Sequence, residues 1–185
     1  MPATQLDAVS ALIVIDLQKG IASLPTVTPA GEIIERAARL ADAFRERAMP
    51  VVLVNVTGVA PGRTDAGPRK LDFAPDWTEL VPELHQRPGD YLLSKQRVGA
   101  FLGTSLDRYL RERRVTQVVI VGIATSAGVE STARNAYDLG YNVTLVVDAM
   151  TDRSAEAHRY SVEKVFPKIA ETDTTDAVLK LLRAS

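Results

Sequence analysis

The sequence contains no cysteine and only two histidines, His85 and His158. Without cysteine the chain cannot form a disulfide framework, a zinc site with thiolate ligands or a cysteine nucleophile. Two isolated histidines do not make a metal-binding cluster either. We therefore expect a protein that holds no metal and needs no cofactor.

An excess of one charge and long apolar runs are also missing. Lys and Arg number 22 against 23 Asp and Glu, and no basic block is present that would follow a nucleic-acid backbone. No apolar run approaches the roughly 20 residues that span a bilayer, and the first ten residues do not resemble a signal peptide. The sequence predicts a cytoplasmic protein that acts on a small molecule, without a nucleic-acid or membrane partner.

What the sequence does contain is an alternation of two kinds of segment. Short apolar runs rich in Val, Ile and Leu occupy residues 11–15, 51–56, 91–93, 117–121 and 143–147. Apolar residues at helical spacing occupy residues 29–47, 103–113, 126–139, 154–166 and 174–182. Strands that are apolar on both faces are typical of parallel sheets covered by helices. The pattern predicts an α/β fold, a doubly wound parallel sheet in one domain over residues 1–185.

The stretch from residue 57 to residue 86 has neither period and is rich in Pro and Gly. We expect a long excursion with one short helix around residues 77–84. Such loops usually form a wall or lid of a functional site. A disordered insert is the alternative, against which the apolar anchors Phe73 and Trp77 argue.

Ligands of open parallel sheets bind beyond the carboxyl ends of the strands. That rule selects five candidates: Asp16, Asn55, Lys95, the segment after Gly122, and Asp148. An Asp or Lys in such a position is, taken alone, as well explained by a helix cap, a turn or a solvated charge.

The segment of residues 122–130 runs from a strand into a helix, where free N–H groups favour a carboxylate or an oxyanion. Gly128 would let a ligand approach the backbone closely. The segment matches neither a phosphate-binding P-loop nor a dinucleotide-binding turn. An ordinary strand–helix junction is the alternative.

Taken together, these segments resemble the isochorismatase-like hydrolase family. The matching pieces are LIVIDLQ at 12–18, Lys95 with GAF at 99–101 and GT at 103–104, VGIATSAGVESTAR at 121–134, AYD at 136–138 with GY at 140–141, and VVDAM at 146–150. The resemblance implies a six-stranded parallel sheet with helices on both faces, a three-layer sandwich of Rossmann type. It also implies homodimers or homotetramers, to which the aromatic residues Phe73, Trp77 and Tyr137 would contribute.

In most members of that family an aspartate, a lysine and a cysteine form the catalytic set. The resemblance places the aspartate at Asp16, the lysine at Lys95 and the cysteine position at Gly128, and a cis peptide at Ile123–Ala124. It implies a substrate-binding set around them: Gln18, Phe101, Ile123, Ala124, Thr125 and Ala127.

Glycine at position 128 excludes a thioester intermediate, because it has no side chain to form one. A displaced serine nucleophile, Ser126 or Ser131, is an alternative. The metal-dependent nicotinamidase branch is not matched, because its histidine ligands have no counterpart between residues 57 and 70.

True isochorismatases are similar to this chain in lacking the cysteine. They hydrolyse a vinyl ether, which needs a general acid and no nucleophile. Asp16 would be that acid if burial raised its pKa, whereas the neighbouring Lys95 would lower it. We therefore expect an isochorismatase-type hydrolase that uses Asp16 with Lys95. A C–N or amide hydrolase with an Asp16-activated water, and a non-catalytic protein that binds small carboxylates, are the alternatives.

Overall fold

The computed structural model describes residues 2–65, 67 and 74–184. Six parallel strands form one sheet in the order β3-β2-β1-β4-β5-β6. The strands are β1 (Ser10–Ile15), β2 (Val51–Val56), β3 (Tyr91–Lys95), β4 (Gln117–Ile123), β5 (Asn142–Thr151) and β6 (Glu171–Asp173). The helices are α1 (Lys19–Ala22), α2 (Ala30–Glu46), α3 (Leu106–Glu112), α4 (Glu130–Asp138), α5 (Ala155–Tyr160) and α6 (Thr175–Ala184).

Both faces of the sheet are covered, because the central strands are apolar on both sides. Ile13 and Ile15 of β1 pack with α3 and α4, whereas Leu12 and Val14 pack with α2 and α6. Every residue of β1 and β4 is buried. The predicted doubly wound parallel sheet with helices on both faces is confirmed.

The strand order indicates at which point along the sheet edge a ligand is expected to bind. From β1 the chain first winds toward β2 and β3, then returns to pair β4 on the other side of β1. The carboxyl ends of β1 and β4 therefore diverge into connections on opposite sides of the sheet, with Ile15 in register with Gly122. Ligands of open α/β sheets bind at such a switch point.

Several elements differ from their predicted bounds. The helix predicted at 126–139 begins with a π-helical turn at Thr125–Val129. The helix predicted at 154–166 consists of α5, a π-helical turn at Ser161–Val165 and a 3-10 turn at Phe166–Lys168. The polar edge strand β6 shows neither an apolar run nor alternation, so the residue pattern did not reveal it.

The last part of the excursion between β2 and β3 contains a short helical turn and a contact with the segment after β1. A 3-10 turn spans Pro82–Leu84, inside the predicted helical stretch, and Leu80 forms a bridge with Gln18. Phe73 lies outside the described residues.

The structure does not test the predicted self-association or the predicted cytoplasmic location, and both stay predictions. Tyr137, one of the aromatic residues expected at an interface, is 52% exposed on α4. Within the described residues, no helix combines the length and apolar character that crossing a membrane requires.

Candidate active site

Asp16 and Lys95 meet at the carboxyl edge of the sheet. Asp16 follows β1 directly, and Lys95 is the last residue of β3, on the far side of β2. Lys95 Nζ lies 2.8 Å from Asp16 Oδ2 and donates a second hydrogen bond to the Arg97 carbonyl at 3.2 Å. The two residues are only 5% and 2% exposed, so the ion pair is buried.

The environment of Asp16 favours its protonated form. Burial raises the pKa of Asp16 to about 6, although the charge of Lys95 and its hydrogen bond act in the opposite direction. Asp16 Oδ1 is buried and has no hydrogen-bond partner among the described residues. Asp16 also has a left-handed backbone, with φ +52°, which Asp and Asn tolerate better than most residues. One carboxylate oxygen is thus fixed by Lys95 while the other is unpaired.

The turn after β4 packs directly against Ile15 and Asp16. Gly122 has φ +123°, and a Cβ there would lie 2.1 Å from the Ile15 carbonyl oxygen, so only glycine fits. The Ile123–Ala124 peptide that follows is cis. A Cβ at Gly128 would lie 2.9 Å from Ile15 Cγ2 and 3.3 Å from Asp16 Oδ2. The structure therefore brings Asp16, Lys95 and Gly128 together, and a side chain at position 128 would touch the Asp16 carboxylate.

The predicted substrate-binding residues occupy different environments. Ile123 and Thr125 are buried in the turn, Ala124 is half-buried and Ala127 is exposed. Phe101 is buried and packs against Tyr141, with ring centroids 6.0 Å apart. Phe101 lies in the loop after β3, and the other four residues lie at the end of β4 or in the turn after it. Their contact with substrate stays a prediction.

Gln18 departs from that set. It is fully buried, its amide donates to the Val56 carbonyl at 3.2 Å and the Trp77 carbonyl at 3.0 Å, and its oxygen accepts from Val56 N–H at 2.7 Å. Both amide donors are thus used by backbone groups. The contacts give Gln18 a structural role, since they join the end of β1 to β2 and to the excursion, and its contact with substrate stays a prediction.

Two other strand-end candidates also have structural partners. Asp148 lies inside β5, and its Oδ1 accepts from Thr175 N–H at 2.7 Å and Thr175 Oγ1 at 2.9 Å, at the start of α6. Asn55 donates to the Thr78 carbonyl at 2.8 Å and accepts from Ser94 Oγ at 2.7 Å. Neither contacts the Asp16–Lys95 pair.

Sequence reasoning overlooked two side chains that contact the turn. Asp152 Oδ2 accepts from Ser126 N–H and from Ser126 Oγ, both at 2.8 Å. His158 Nδ1 lies 2.8 Å from Thr125 Oγ1. A signal for Asp152 was present: apolar residues continue after Asp148 and stop at Asp152, which makes Asp152 the true strand-end carboxylate of β5.

A model of the isochorismatase domain matches residues 10–177 of this chain. The chain belongs to the isochorismatase family. It is 38% identical to the uncharacterized isochorismatase family protein YwoC of Bacillus subtilis (strain 168), with 94% of each chain covered. The structure of an isochorismatase family protein from Burkholderia thailandensis superimposes with a TM-score of 0.93 at 39% identity, covering 97% of this chain and 98% of that one. The protein is thus a hydrolase of the isochorismatase family.

Relatives in this family include amidohydrolases. N-carbamoylsarcosine amidase from Thermoplasma acidophilum superimposes with a TM-score of 0.76 at 28% identity, covering 91% of this chain and 97% of that one. The ureidoacrylate amidohydrolase RutB of Agrobacterium fabrum is 40% identical over 95 residues, which are 49% of this chain and 42% of that protein. Amide hydrolysis is therefore one activity found among the relatives of this chain.

Proposed function

We propose that this isochorismatase-family hydrolase cleaves the vinyl ether of a small polar carboxylate substrate, with Asp16 as general acid and without a covalent intermediate. The observation that carries the proposal is the Asp16 carboxyl group, which is buried and has an unpaired Oδ1. Its pKa is raised to about 6 and it lies against Gly128, which has no side chain to act as a nucleophile. A carboxyl group whose pKa is raised from 3.8 to about 6 is protonated in weakly acidic solution, where it can act as a general acid.

In the proposed reaction Asp16 gives a proton to the substrate and later takes one back from water. Protonated Asp16 transfers its proton to the terminal carbon of the vinyl ether, which leaves an oxocarbenium ion and the Asp16 carboxylate. Water adds to that cation, its released proton returns to Asp16, and the hemiketal collapses to a ketone and an alcohol. Lys95 stabilises the carboxylate between the two transfers, because its ammonium lies 2.8 Å from Oδ2.

The remaining expected residues act as a binding surface in this scheme. Phe101, Ile123, Ala124, Thr125 and Ala127 would surround the substrate. The N–H group of Ser126 binds Asp152, and those of Ala127 and Val129 bind the Ala124 carbonyl, so these groups are not free for the substrate carboxylate. This assignment rests on the position of the turn beside Asp16.

The presence of amidohydrolases among the relatives favours a second candidate, hydrolysis of a C–N bond by a water molecule that Asp16 activates as general base. Without a side chain at position 128 such a reaction cannot pass through a thioester. The base needs ionised Asp16, whereas the acid needs protonated Asp16, so the two candidates predict opposite pH dependence.

The test is to incubate the wild type with isochorismate and to follow pyruvate release between pH 4.5 and 8. For acid catalysis, kcat/KM should fall as the pH rises through about 6, where Asp16 loses its proton. Asp16→Asn should reduce the rate by on the order of 10²–10⁴, because the amide keeps the shape and the left-handed backbone but has no proton to transfer. An Asp16→Asn variant as active as wild type would refute the acid role.

Other substrates separate the alternatives. Turnover of ureidoacrylate or N-carbamoylsarcosine, with kcat/KM rising through about pH 6, would establish the second candidate in place of the first. Binding of small carboxylates without any turnover would establish a non-catalytic member. Mass spectrometry during turnover should find no covalent adduct, and an adduct on Ser126 or Ser131 would overturn the proposed mechanism.

A further inference from the structure

Two side chains from the segment after β5 hold the turn that closes on Asp16. Asp152 binds Ser126 through its N–H and its hydroxyl, and His158 binds the buried hydroxyl of Thr125, all at 2.8 Å. Thr125 and Ser126 stand between the cis peptide and Gly128 in the chain. The segment after β5 thus binds the same turn that packs against Ile15 and Asp16.

An irregularity in β5 places Asp152 there. Leu145 pairs with Ile120, but the next paired residues are Met150 and Gly122, so residues 146–149 stand opposite Val121 alone. Such an insertion bends the strand and redirects its side chains. As a result the end of β5 carries two aspartates that bind helix starts. Asp148, within the strand, binds the start of α6, and Asp152, directly after it, binds the turn that leads into α4.

The Asp152 carboxylate is saturated with donors. Besides the two bonds from Ser126, its Oδ1 accepts from Arg153 N–H at 2.8 Å and Ser154 N–H at 3.2 Å. Burial alone would raise the pKa of Asp152, but the hydrogen bonds from Ser126, Ser154 and Arg153 outweigh it and lower the pKa. Asp152 is therefore ionised and bound to the turn throughout the neutral pH range.

We propose that Asp152 is a positioning residue for the hydrolase: by holding Ser126 it keeps the turn of residues 122–128 packed over Asp16 and keeps water away from that carboxyl group. The proposal rests on the proposed function, since it acts through Asp16. Asp152 reaches Asp16 through the turn. Asp152 binds Ser126, and two residues further along the chain Gly128 packs against Ile15 and Asp16. His158 supports the same turn through Thr125.

The test compares Asp152→Ala with Asp148→Ala. Each variant loses an aspartate, Asp148 within β5 or Asp152 directly after it, that binds the start of a helix, but only Asp152 contacts the turn. Asp148→Ala should cost about 1 kcal/mol, as loss of a capping residue does in general. Asp152→Ala should cost more, because it leaves the N–H groups of Ser126, Arg153 and Ser154 without their acceptor. Asp152→Ala should reduce kcat on the order of 10–10²-fold with little change in KM, because the reacting groups are misplaced. Asp148→Ala should leave kcat unchanged.

A second readout does not depend on turnover. The titration of the Asp16 carboxyl carbon, followed by NMR, should give a pKa near 6 in wild type and a value shifted toward 3.8 in Asp152→Ala, because water then reaches Asp16. Lys95 is the charged side chain that contacts Asp16 among the described residues, and it remains in both variants. Ser126→Ala serves as a third variant, since it keeps the Asp152 charge and removes one of the two bonds. It should shift the Asp16 pKa in the same direction by less.

The outcomes separate the two proposals. A wild type without pyruvate release but with an Asp16 pKa that falls in Asp152→Ala would refute the vinyl-ether function and support the positioning role. An active wild type whose kcat and Asp16 pKa respond equally to Asp152→Ala and Asp148→Ala would refute the positioning role alone. An unchanged pKa in both Asp152→Ala and Ser126→Ala would refute it even if kcat fell.

Discussion

The raised pKa of Asp16 predicts that this residue makes the fold less stable as the pH rises. In the unfolded chain Asp16 titrates at its ordinary pKa of 3.8, and in the folded protein it titrates at about 6. Between these values the folded state holds a proton that the unfolded state has lost, so raising the pH favours unfolding. Below pH 3.8 the carboxyl is protonated in both states and the effect vanishes. Above pH 6 it is ionised in both, and the effect is complete.

The size of the effect follows from the shift. A pKa difference of about 2 units at about 1.4 kcal/mol per unit corresponds to ~3 kcal/mol of unfolding free energy. Asp16 is only 5% exposed, so solvent does little to screen this contribution. The value is large relative to the 5–15 kcal/mol that typically stabilises a domain.

The assay is urea unfolding of wild type and Asp16→Asn at several pH values between 4 and 7. Asparagine does not titrate, and the other carboxyl groups are common to both proteins, so the difference in unfolding free energy isolates Asp16. The stability of wild type relative to Asp16→Asn should fall by ~2.4 kcal/mol from pH 4 to pH 7, because part of the full effect is already present at pH 4. In Lys95→Met the attraction that lowers the Asp16 pKa is lost, so the decline should extend to higher pH. A difference that stays constant, or that grows with pH, would refute the burial argument.

Three glycine substitutions test the packing, two of them at tight contacts and one at an open position. Gly128→Ala should destabilise the protein by about 1–3 kcal/mol and reduce turnover, because its Cβ would lie 2.9 Å from Ile15 Cγ2. Gly31→Ala on α2 should stabilise the protein slightly, because no atom lies within 4 Å of the new Cβ and alanine favours the helix. Equal behaviour of the two variants in urea unfolding would contradict this packing. In Gly20→Ala the new Cβ would lie 2.0 Å from Trp77 Cδ1, so this tryptophan side chain must move. Because Trp77 is the single tryptophan of the sequence, a shift in the fluorescence emission should report the movement. An unchanged spectrum would contradict the contact.

The sheet was predictable because its strands carry a strong local signal. The run at residues 11–15 is apolar at every position, which only a strand buried on both faces requires, and it ends at Asp16. The same reasoning placed Lys95 and the turn after β4 at one edge. Local sequence was therefore sufficient to bring the three principal site residues together, and the family motifs identified position 128.

The sequence did not reveal contacts that depend on how distant segments pair or pack in the fold. Asp148 and Asp152 are both aspartates beyond an apolar run, and only the insertion in β5 decides which of them reaches the turn after β4. Gln18 lies within a family motif, but its partners Val56 and Trp77 come from other segments, one of them a loop without periodicity. Long-range hydrogen bonds of this kind leave no pattern in the local sequence.

The glycine at position 128 changes which property of the site controls its reactivity. With a cysteine there, the reactive group would be a thiolate, whose nucleophilicity belongs to its own side chain. In the proposed mechanism, which has no such group, the chemistry depends on how strongly Asp16 holds a proton. Burial raises the pKa of Asp16, and the charge of Lys95 lowers it. Side chains that keep water away from Asp16 then act on the chemical step itself. For this reason Asp152, which never touches Asp16, is expected to influence turnover more strongly here than a helix-capping residue ordinarily would.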